Sequence, residues 1–203
     1  MTAQVAPADL RSAMILASVH RAFIEKGFDG ASMQDLAREA GMSVGNFYRY
    51  FPSKAAIVES IITRDLQELE RDFSDIIGSA DPMQRLRDTI RRHVADSLCD
   101  GDGRLWAEIT AVSLRKPEIA AIVGRMYMAL NHHLTTVFSV TSGLPLPEVA
   151  LRYSAHASFV VMMVKISAMQ TCGEQRQQAD LTALVLRTIN QTLDEIPLKP
   201  VKG

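Results

Sequence analysis

The sequence predicts an all-α fold. Helix-forming residues dominate the 203-residue chain, and apolar residues recur at helical spacing over long segments. No segment alternates apolar and polar residues between turn residues, as a strand would. The composition, 47% hydrophobic and 22% charged residues, is typical of globular proteins of one large or two small domains. We therefore expect a helical protein with about nine helices.

The first helix is predicted from Asp9, a residue type that caps helices, to Lys26. Its apolar residues follow helical spacing, and Gly27 closes it. The apolar positions are Ile15, Leu16, Val19, Ala22 and Phe23. This helix is expected to support the segment that follows.

Residues 32–54 are predicted to form a helix-turn-helix. Ser32 is a helix cap with Asp35 three residues later, the spacing of a capping box. Gly41 suits a left-handed helix stop, and Ser43 caps a second helix over residues 44–50. The turn is about three residues long, which holds the second helix across the first so that it can enter a DNA major groove.

The second helix of this motif has a small apolar face. Phe47 and Phe51 lie four residues apart and should point inward, whereas Asn46, Arg49 and Tyr50 fall elsewhere on the helix. Gly45 leaves part of the surface without a side chain. A glycine at that place allows another molecule to approach the backbone closely.

Further helices are predicted by apolar periodicity, with proline marking several starts. They cover residues 54 to about 79, 82 to about 98, 105–114, 117 to about 140, 147–171 and 180–195. Residues 159–164 are apolar without interruption, and a helix that is apolar on every side must be buried on every side. One chain covers only part of such a surface. The last two helices are therefore the predicted dimer interface, through Val160, Val164, Leu181, Val185 and Ile189.

The helix-turn-helix segment resembles the DNA-binding signature of the TetR-type transcriptional regulators. The matching positions are Ser32, Leu36, Ala37, Ala40, Gly41, Ser43, Gly45, Tyr48, Tyr50, Phe51 and Lys54. The resemblance covers about the first quarter to third of the chain. It implies a DNA-binding domain at residues 9–54 and a ligand-binding and dimerisation domain at residues 55–196. It also implies a homodimeric repressor that binds a palindromic double-stranded operator and is released by a small-molecule effector.

The resemblance also implies roles for individual residues. Ser32, Tyr48 and Lys54 would touch phosphates, which fixes register without reading sequence. Gln34, Val44, Gly45, Asn46 and Arg49 would face bases, and Ser43 and Tyr50 complete the expected DNA-binding set. Asn46 carries an amide that can bond an adenine edge twice, and Val44 offers an apolar contact to a thymine methyl.

Large, adaptable side chains are frequent in the second half of the chain. Such residues more often form plain core than a cavity. Since TetR-type regulators carry a ligand cavity in their C-terminal bundle, the resemblance favours a binding role for some of them. The expected ligand-binding residues are Trp106, Met126, Tyr127, Phe159, Met162 and Met163.

Other functions are disfavoured by the sequence. No phosphate loop, nucleophile elbow or paired-histidine motif is visible, so we expect no catalytic residues and no cofactor. His132 and His133 point about 100° apart on a helix and cannot chelate one metal ion together. No signal peptide is seen, and the uncharged run between Arg152 and Lys165 is too short to span a bilayer, which predicts a cytoplasmic protein without membrane partners.

The net charge of −1 means that DNA affinity must come from local charge placement. The alternative function is a helical ligand-binding or interaction protein whose helix-turn-helix does not bind DNA. The presence of Gly45, Tyr48 and Lys54 argues against that alternative.

Overall fold

The computed structural model describes residues 7–96, 102–169 and 175–199. Over these residues the chain forms nine helices and no strand, which confirms the predicted all-α class. The helices are α1 Pro7–Gly30, α2 Met33–Glu39, α3 Val44–Tyr50, α4 Lys54–Ile77, α5 Pro82–Asp96, α6 Asp102–Ser113, α7 Pro117–Ser142, α8 Leu146–Ala168 and α9 Gln175–Asp194.

The described chain divides into two compact units. The first unit comprises residues 7–64 and 104–123, and the second comprises residues 65–96, 102–103, 124–169 and 175–199. The first unit thus contains α1 to α3, the beginning of α4, most of α6 and the beginning of α7. The second contains the remainder of α4 and α7 with α5, α8 and α9.

Aromatic rings fill the core of the first unit. Phe23 and Phe28 stack with their ring centroids 5.4 Å apart, and Phe47 and Phe51 pack at 5.5 Å. All four side chains are buried, which the spacing of apolar residues predicts for Phe23, Phe47 and Phe51. Leu36 of α2 and Ile57 of α4 are fully covered in the same unit. These contacts fix α2 and α3 on a helical support.

A glycine interrupts α1 near its end. Gly27 has φ 71° and ψ 164°, so the regular helix stops where the sequence predicts, and a further short helical segment runs to Gly30. The amide of Phe28, just after the break, donates a hydrogen bond of 2.7 Å to Oε1 of Glu108 in α6. A carboxylate therefore satisfies the donor that the break leaves without a regular helical partner.

In the second unit, an arginine joins α5 to α9. The Arg87 guanidinium donates to the backbone oxygen of Asn190 at 3.1 Å and to its Oδ1 at 2.9 Å. It also forms an ion pair of 2.7 Å with Asp194. Around this connection α5, α8 and α9 share an apolar core. Its buried members include Leu86, Ile90, Val149, Val160, Val185, Ile189 and Leu193.

Several helix boundaries differ from the sequence expectation. The largest shift is in α9, which begins at Gln175 instead of Asp180. Residues 175–178 are all polar, so they carry no apolar periodicity that would reveal a helix. α8 begins at Leu146, with Pro147 inside its first turn. The expected ends of two helices, residues 97–98 and 170–171, lie outside the described residues.

α8 has an unusual balance of composition and burial. Among the described helices it is the one long and apolar enough to cross a membrane by length and composition, with a mean hydropathy of 1.3. Only 22% of that window is buried within the chain. The helix therefore leaves Leu151, Met162 and Ile166 exposed and available for a further contact.

The backbone of Gly27 generates a stability prediction. Gly27→Ala places a side chain in a region of φ and ψ that is essentially restricted to glycine, with the added Cβ 3.2 Å from Oε1 of Glu108. We expect the free energy of unfolding to fall by about 1–3 kcal/mol in urea denaturation. Gly30→Ala is the matched control, because its added Cβ would lie 4.0 Å from the nearest atom. Equal effects of the two substitutions would contradict the strain argument.

Candidate functional site

The beginning of α2 is held by a reciprocal cap. The Ser32 hydroxyl accepts a hydrogen bond of 3.1 Å from the Asp35 amide, and the Ser32 amide donates one of 3.1 Å to Oδ2 of Asp35. The hydroxyl also donates to the same Oδ2 at 2.6 Å. This is the capping box predicted from the sequence, with aspartate in place of the usual glutamate.

Asp35 also links α2 to α1. Its Oδ1 accepts a hydrogen bond of 3.0 Å from Nζ of Lys26 and pairs with Arg38 one turn further along α2. The hydrogen bond from Ser32, followed by that from Lys26, holds the pKa of the Asp35 carboxyl well below its usual range. The carboxylate therefore stays charged and keeps the start of α2 in a fixed orientation.

A Schellman turn ends α2. Gly41 adopts φ 64°, the Met42 amide donates to the Ala37 oxygen at 2.9 Å, and the Gly41 amide donates to the Arg38 oxygen at 3.0 Å. Ser43 then caps α3 by accepting from the Asn46 amide at 3.4 Å. Local hydrogen bonds thus set the backbone path between α2 and α3.

α3 presents one buried face and one open face. Phe47 is fully buried, whereas the remaining predicted recognition residues of the helix lie at the surface. Val44, Gly45, Tyr48, Arg49 and Tyr50 are exposed, and Asn46 is half-buried. An added Cβ at Gly45 would meet no atom within 4 Å. The surface above Gly45 is therefore open to an approaching molecule.

Polar side chains on the open face of α3, and Gln34 on α2, have no polar partner within the described part of the chain. Within the described part of the chain, the side chains of Gln34, Asn46, Tyr48 and Arg49 form no hydrogen bond or ion pair. The helix-turn-helix at residues 32–54 carries Arg38, Arg49 and Lys54 against Asp35 and Glu39, which is three positive and two negative charges. The local charge is therefore positive, although the whole chain carries −1. An anionic partner is favoured at this surface.

Lys54 has an internal role that the sequence did not indicate. Its Nζ donates hydrogen bonds to the backbone oxygens of Phe28 at 2.5 Å and Asp29 at 3.2 Å, and it lies 5.0 Å from the centroid of the Phe28 ring. Burial lowers the pKa of Lys54, and the charge of Lys116 adds to this effect while Asp29 opposes it. The residue expected to touch phosphate thus ties the start of α4 to the end of α1.

The segment between α6 and α7 forms ion pairs at the same junction between α1 and α4. Arg115 and Lys116 pair with the Asp29 carboxylate at 3.3 Å and 3.1 Å. The hydrogen bond from Lys116 is the main reason that the pKa of Asp29 lies below its usual value. Sequence reasoning missed this cluster because its charges are separated by more than 80 residues along the chain. No short-range pattern marks it.

The six expected ligand-binding residues do not belong to one unit. Trp106 lies in the first unit and is half-buried, whereas the other five lie in the second unit. Met126 is buried, Phe159 and Met163 are half-buried, and Tyr127 and Met162 are exposed.

Lys165 joins two of these residues to α8. Its Nζ lies 3.4 Å from Sδ of Met126 and 5.2 Å from the centroid of the Tyr127 ring. Burial lowers the pKa of the Lys165 ammonium to about 8, against the opposing attraction of Asp65 in α4. In the sequence, Lys165 is the one Asp, Glu, Lys or Arg residue between Arg152 and Glu174, and its neighbours on α8 are mostly apolar. That isolated charge is the sequence feature that could have marked it.

Three of the five expected dimer-interface residues need a correction. Val160, Val185 and Ile189 are buried within the chain itself and leave no surface for a partner. The reason is that α5 and α9 pack on α8 and cover these faces. Leu181 is exposed, and Val164 is half-buried.

An exposed stripe does run along the same two helices. On α8 its positions follow steps of four and three residues, which places them on one face. They are Leu151, Ala155, Ser158, Met162 and Ile166. On α9, Leu181 and Leu184 are exposed three residues apart. We call these seven residues the α8–α9 stripe.

Taken together, the two capped helices and the open face of the second define a helix-turn-helix, the motif that places a recognition helix in a DNA major groove. Residues 15–61 match the family described as bacterial regulatory proteins, tetR family. This match confirms the resemblance of the helix-turn-helix segment to the TetR-type transcriptional regulators.

Individual relatives agree with this resemblance. The transcriptional regulator UidR of Escherichia coli strain K12 is 28% identical over 117 residues, which is 58% of this chain and 59% of that protein. The chain thus matches less than two thirds of that relative's length. The structure of Salmonella enterica GusR has a TM-score of 0.72 at 18% identity and covers 95% of this chain and 97% of its own.

A further solved structure is AibR in complex with isovaleryl coenzyme A and operator DNA. It has a TM-score of 0.64 at 18% identity and covers 93% of this chain and 100% of its own. At such identities the likeness to both solved structures concerns the fold.

The contacts of Lys54 generate a prediction about stability. Lys54→Met removes two hydrogen bonds from a charged donor, so we expect the free energy of unfolding in urea to fall by about 1–3 kcal/mol. Arg49→Met is the control, since this exposed side chain has no hydrogen-bond or ion-pair partner among the described residues. Its effect should stay within about 0.5 kcal/mol. If the Lys54→Met protein is as stable as the control, the two hydrogen bonds of Lys54 do not contribute to the free energy of unfolding.

Proposed function

We propose that the chain is a homodimeric repressor that binds a palindromic operator through α2 and α3 and is released when a small molecule binds in the second unit. The observation that carries this proposal is the open face of α3. It combines unused polar side chains, an uncrowded glycine and a local positive charge on a rigidly capped helix. A face of this kind suits the major groove, which is lined by donors, acceptors and phosphates.

The side chains divide by chemistry. Asn46 can pair with an adenine edge, Val44 can contact a thymine methyl, and Gly45 allows the backbone to come close to the bases. Tyr48 offers a hydroxyl to a phosphate. The Ser32 hydroxyl already donates to Asp35, so its contribution to a phosphate contact would come from the fixed start of α2. Lys54 has a third N–H available beyond its two carbonyl partners.

The dimer follows from the α8–α9 stripe. Palindromic operators require two recognition helices at a fixed separation, which a symmetric dimer supplies. The stripe combines large apolar side chains with the small residues Ala155 and Ser158, so that two helices can approach closely. A second copy of the same chain is the partner that a self-complementary helical stripe fits.

An effector in the second unit would act by changing the separation of the two recognition helices. AibR, which shares the fold, was crystallised with both isovaleryl coenzyme A and operator DNA. By thermodynamic linkage, an effector that weakens operator binding by some factor must itself bind more weakly to the operator complex by the same factor. We assign residues 9–54 to DNA binding and residues 55–196 to effector binding and dimerisation. The protein would act by binding and not by catalysis, in the cytoplasm.

The recognition face is tested with an operator selected from random duplexes. Asn46→Ala should cost about 1–3 kcal/mol on the selected operator and little on a scrambled duplex, because it removes a contact to a base edge. Tyr48→Phe is the matched comparison. Loss of a phosphate contact should weaken both duplexes alike. Binding isotherms over a salt series provide the measurement.

If Asn46→Ala weakens operator and scrambled duplex equally, Asn46 does not read a base. If the wild-type protein binds no selected duplex above the scrambled one, the proposed regulator function fails and the alternative of a ligand-binding protein is favoured.

The dimer is tested at an exposed position of the stripe. Leu184→Glu introduces a charge that a single chain leaves in water but a dimer would bury, so we expect sedimentation to shift to the monomer. Leu114→Glu, at an exposed leucine outside the stripe, is the control. Val185→Glu is unsuitable because Val185 is buried in the chain's own core. An unchanged dimer in Leu184→Glu would exclude the α8–α9 stripe as the interface.

A further inference from the structure

We propose that the α8–α9 stripe fixes one geometry of the dimer, in which the α8 helices of two copies run antiparallel and the two-fold axis passes beside Ser158. This inference rests on the proposed dimer, and it names the residues that meet across the axis. Three observations support it: the spacing of the exposed residues of α8, the polar pair at the centre of the stripe and the position of an exposed leucine of α9.

The exposed residues of α8 are spaced symmetrically about Ser158. Ala155 lies three residues before Ser158, and Met162 lies four residues after it. Leu151 lies seven residues before Ser158, and Ile166 lies eight residues after it. Where two identical helices meet antiparallel at a two-fold axis, a residue before the axis in one copy faces a residue equally far after it in the other. Leu151 therefore faces Ile166 of the second copy, and Ala155 faces Met162 of the second copy.

This pairing also matches the sizes of the side chains. Ala155 is small and Met162 is large, so each occupies the space that the other leaves. In a parallel dimer every residue would face its own equivalent. Two methionines would then crowd at position 162, while two alanines would leave a gap at position 155. The antiparallel pairing lets the two helices approach evenly along the whole stripe.

A donor and an acceptor remain unused at the centre of the stripe. Nδ2 of Asn131 in α7 donates to the Ser158 hydroxyl at 2.7 Å and to the Ser154 backbone oxygen at 3.2 Å. Because a backbone oxygen can only accept, these contacts determine which end of the Asn131 amide faces α8. Among the described residues, no group accepts from the Ser158 hydroxyl, and none donates to Oδ1 of Asn131.

A two-fold axis beside Ser158 provides partners for both groups. The Ser158 hydroxyl of each copy can donate to Oδ1 of Asn131 in the other, which by symmetry gives two hydrogen bonds. Polar groups that water satisfies in a single chain need such partners once an interface excludes water. A polar pair within an apolar helix interface fixes the register at which the helices meet, as a single buried asparagine does in coiled coils.

An exposed leucine of α9 extends the interface at one end of α8. Six residues connect the end of α8 to the beginning of α9, whereas His156 in α8 bonds Glu195 just beyond the other end of α9 at 2.9 Å. The two helices therefore run antiparallel. Leu184 lies eleven residues before Glu195 and thus beside the end of α8 that carries Ile166. In the proposed dimer this apolar end covers Leu151 of the second copy, a side chain that is 85% exposed in the single chain.

Disulfide cross-linking of the full chain tests this geometry. Cys99 and Cys172 are first replaced by serine, and each variant is oxidised with diamide and examined by electrophoresis without reductant. Ser158→Cys should cross-link most of the chains into dimers, because two residues beside the axis come within the Cα separation of a disulfide. Circular dichroism and sedimentation establish that each variant is folded and dimeric.

A second set of variants tests the register independently of Ser158. The double variant with Leu151→Cys and Ile166→Cys should cross-link into dimers, whereas neither single variant should. The two copies of position 151 would lie about 22 Å apart along the helices, beyond the reach of a disulfide. The same separation prevents a disulfide between positions 151 and 166 within one chain. Leu114→Cys, at an exposed leucine outside the stripe, is the control and should not cross-link.

The inference is overturned if folded, dimeric Ser158→Cys does not cross-link, if Leu151→Cys cross-links by itself, or if the double variant cross-links no more than its two single variants. Sedimentation separates this inference from the proposed function. A dimer that gives another cross-linking pattern overturns the geometry alone. A wild-type chain that sediments as a monomer, both free and on the selected operator, contradicts the proposed dimer as well.

Discussion

The first unit depends on how the chain is held just after the break in α1. At Gly27 the helix stops, and the next two residues expose backbone groups that a regular helix would have satisfied. Glu108 accepts from the Phe28 amide, and Lys54 donates to the oxygens of Phe28 and Asp29. Side chains from α4 and α6 thus replace the missing helical partners. Because α2 follows directly, its position relative to α1 depends on this junction.

The recognition surface shows the opposite arrangement. Its backbone is fixed by local caps at Ser32, Gly41 and Ser43, while the side chains of Asn46, Tyr48 and Arg49 form no hydrogen bond or ion pair with the described residues. Rigid support and unused side chains suit a surface that must meet a second molecule in a defined geometry. Lys54 is the exception, since its charge is shared between the support of α1 and the surface next to α3.

In the second unit, the two charged side chains Arg87 and Lys165 have different kinds of neighbours. Arg87 is matched by a carbonyl, an amide oxygen and the carboxylate of Asp194, which joins α5 to α9. Lys165 lies against the thioether of Met126 and the aromatic face of Tyr127, with an attraction from Asp65 in α4. The first is the pattern of a structural connection.

The sequence by itself determined the all-α class, because apolar residues recur at helical spacing over long segments. It also determined the caps at Ser32 and Ser43 and the turn at Gly41, because each of these depends on residues within one helical turn. It also predicted the open face of α3 from helical spacing. The tertiary structure decided what Lys54, Glu108 and Lys165 contact, since their partners lie at least 25 residues away along the chain. It also decided that Val160, Val185 and Ile189 are interior. Apolar periodicity shows which helix face avoids water, but whether that face is covered by the same chain or by a partner depends on how the helices pack.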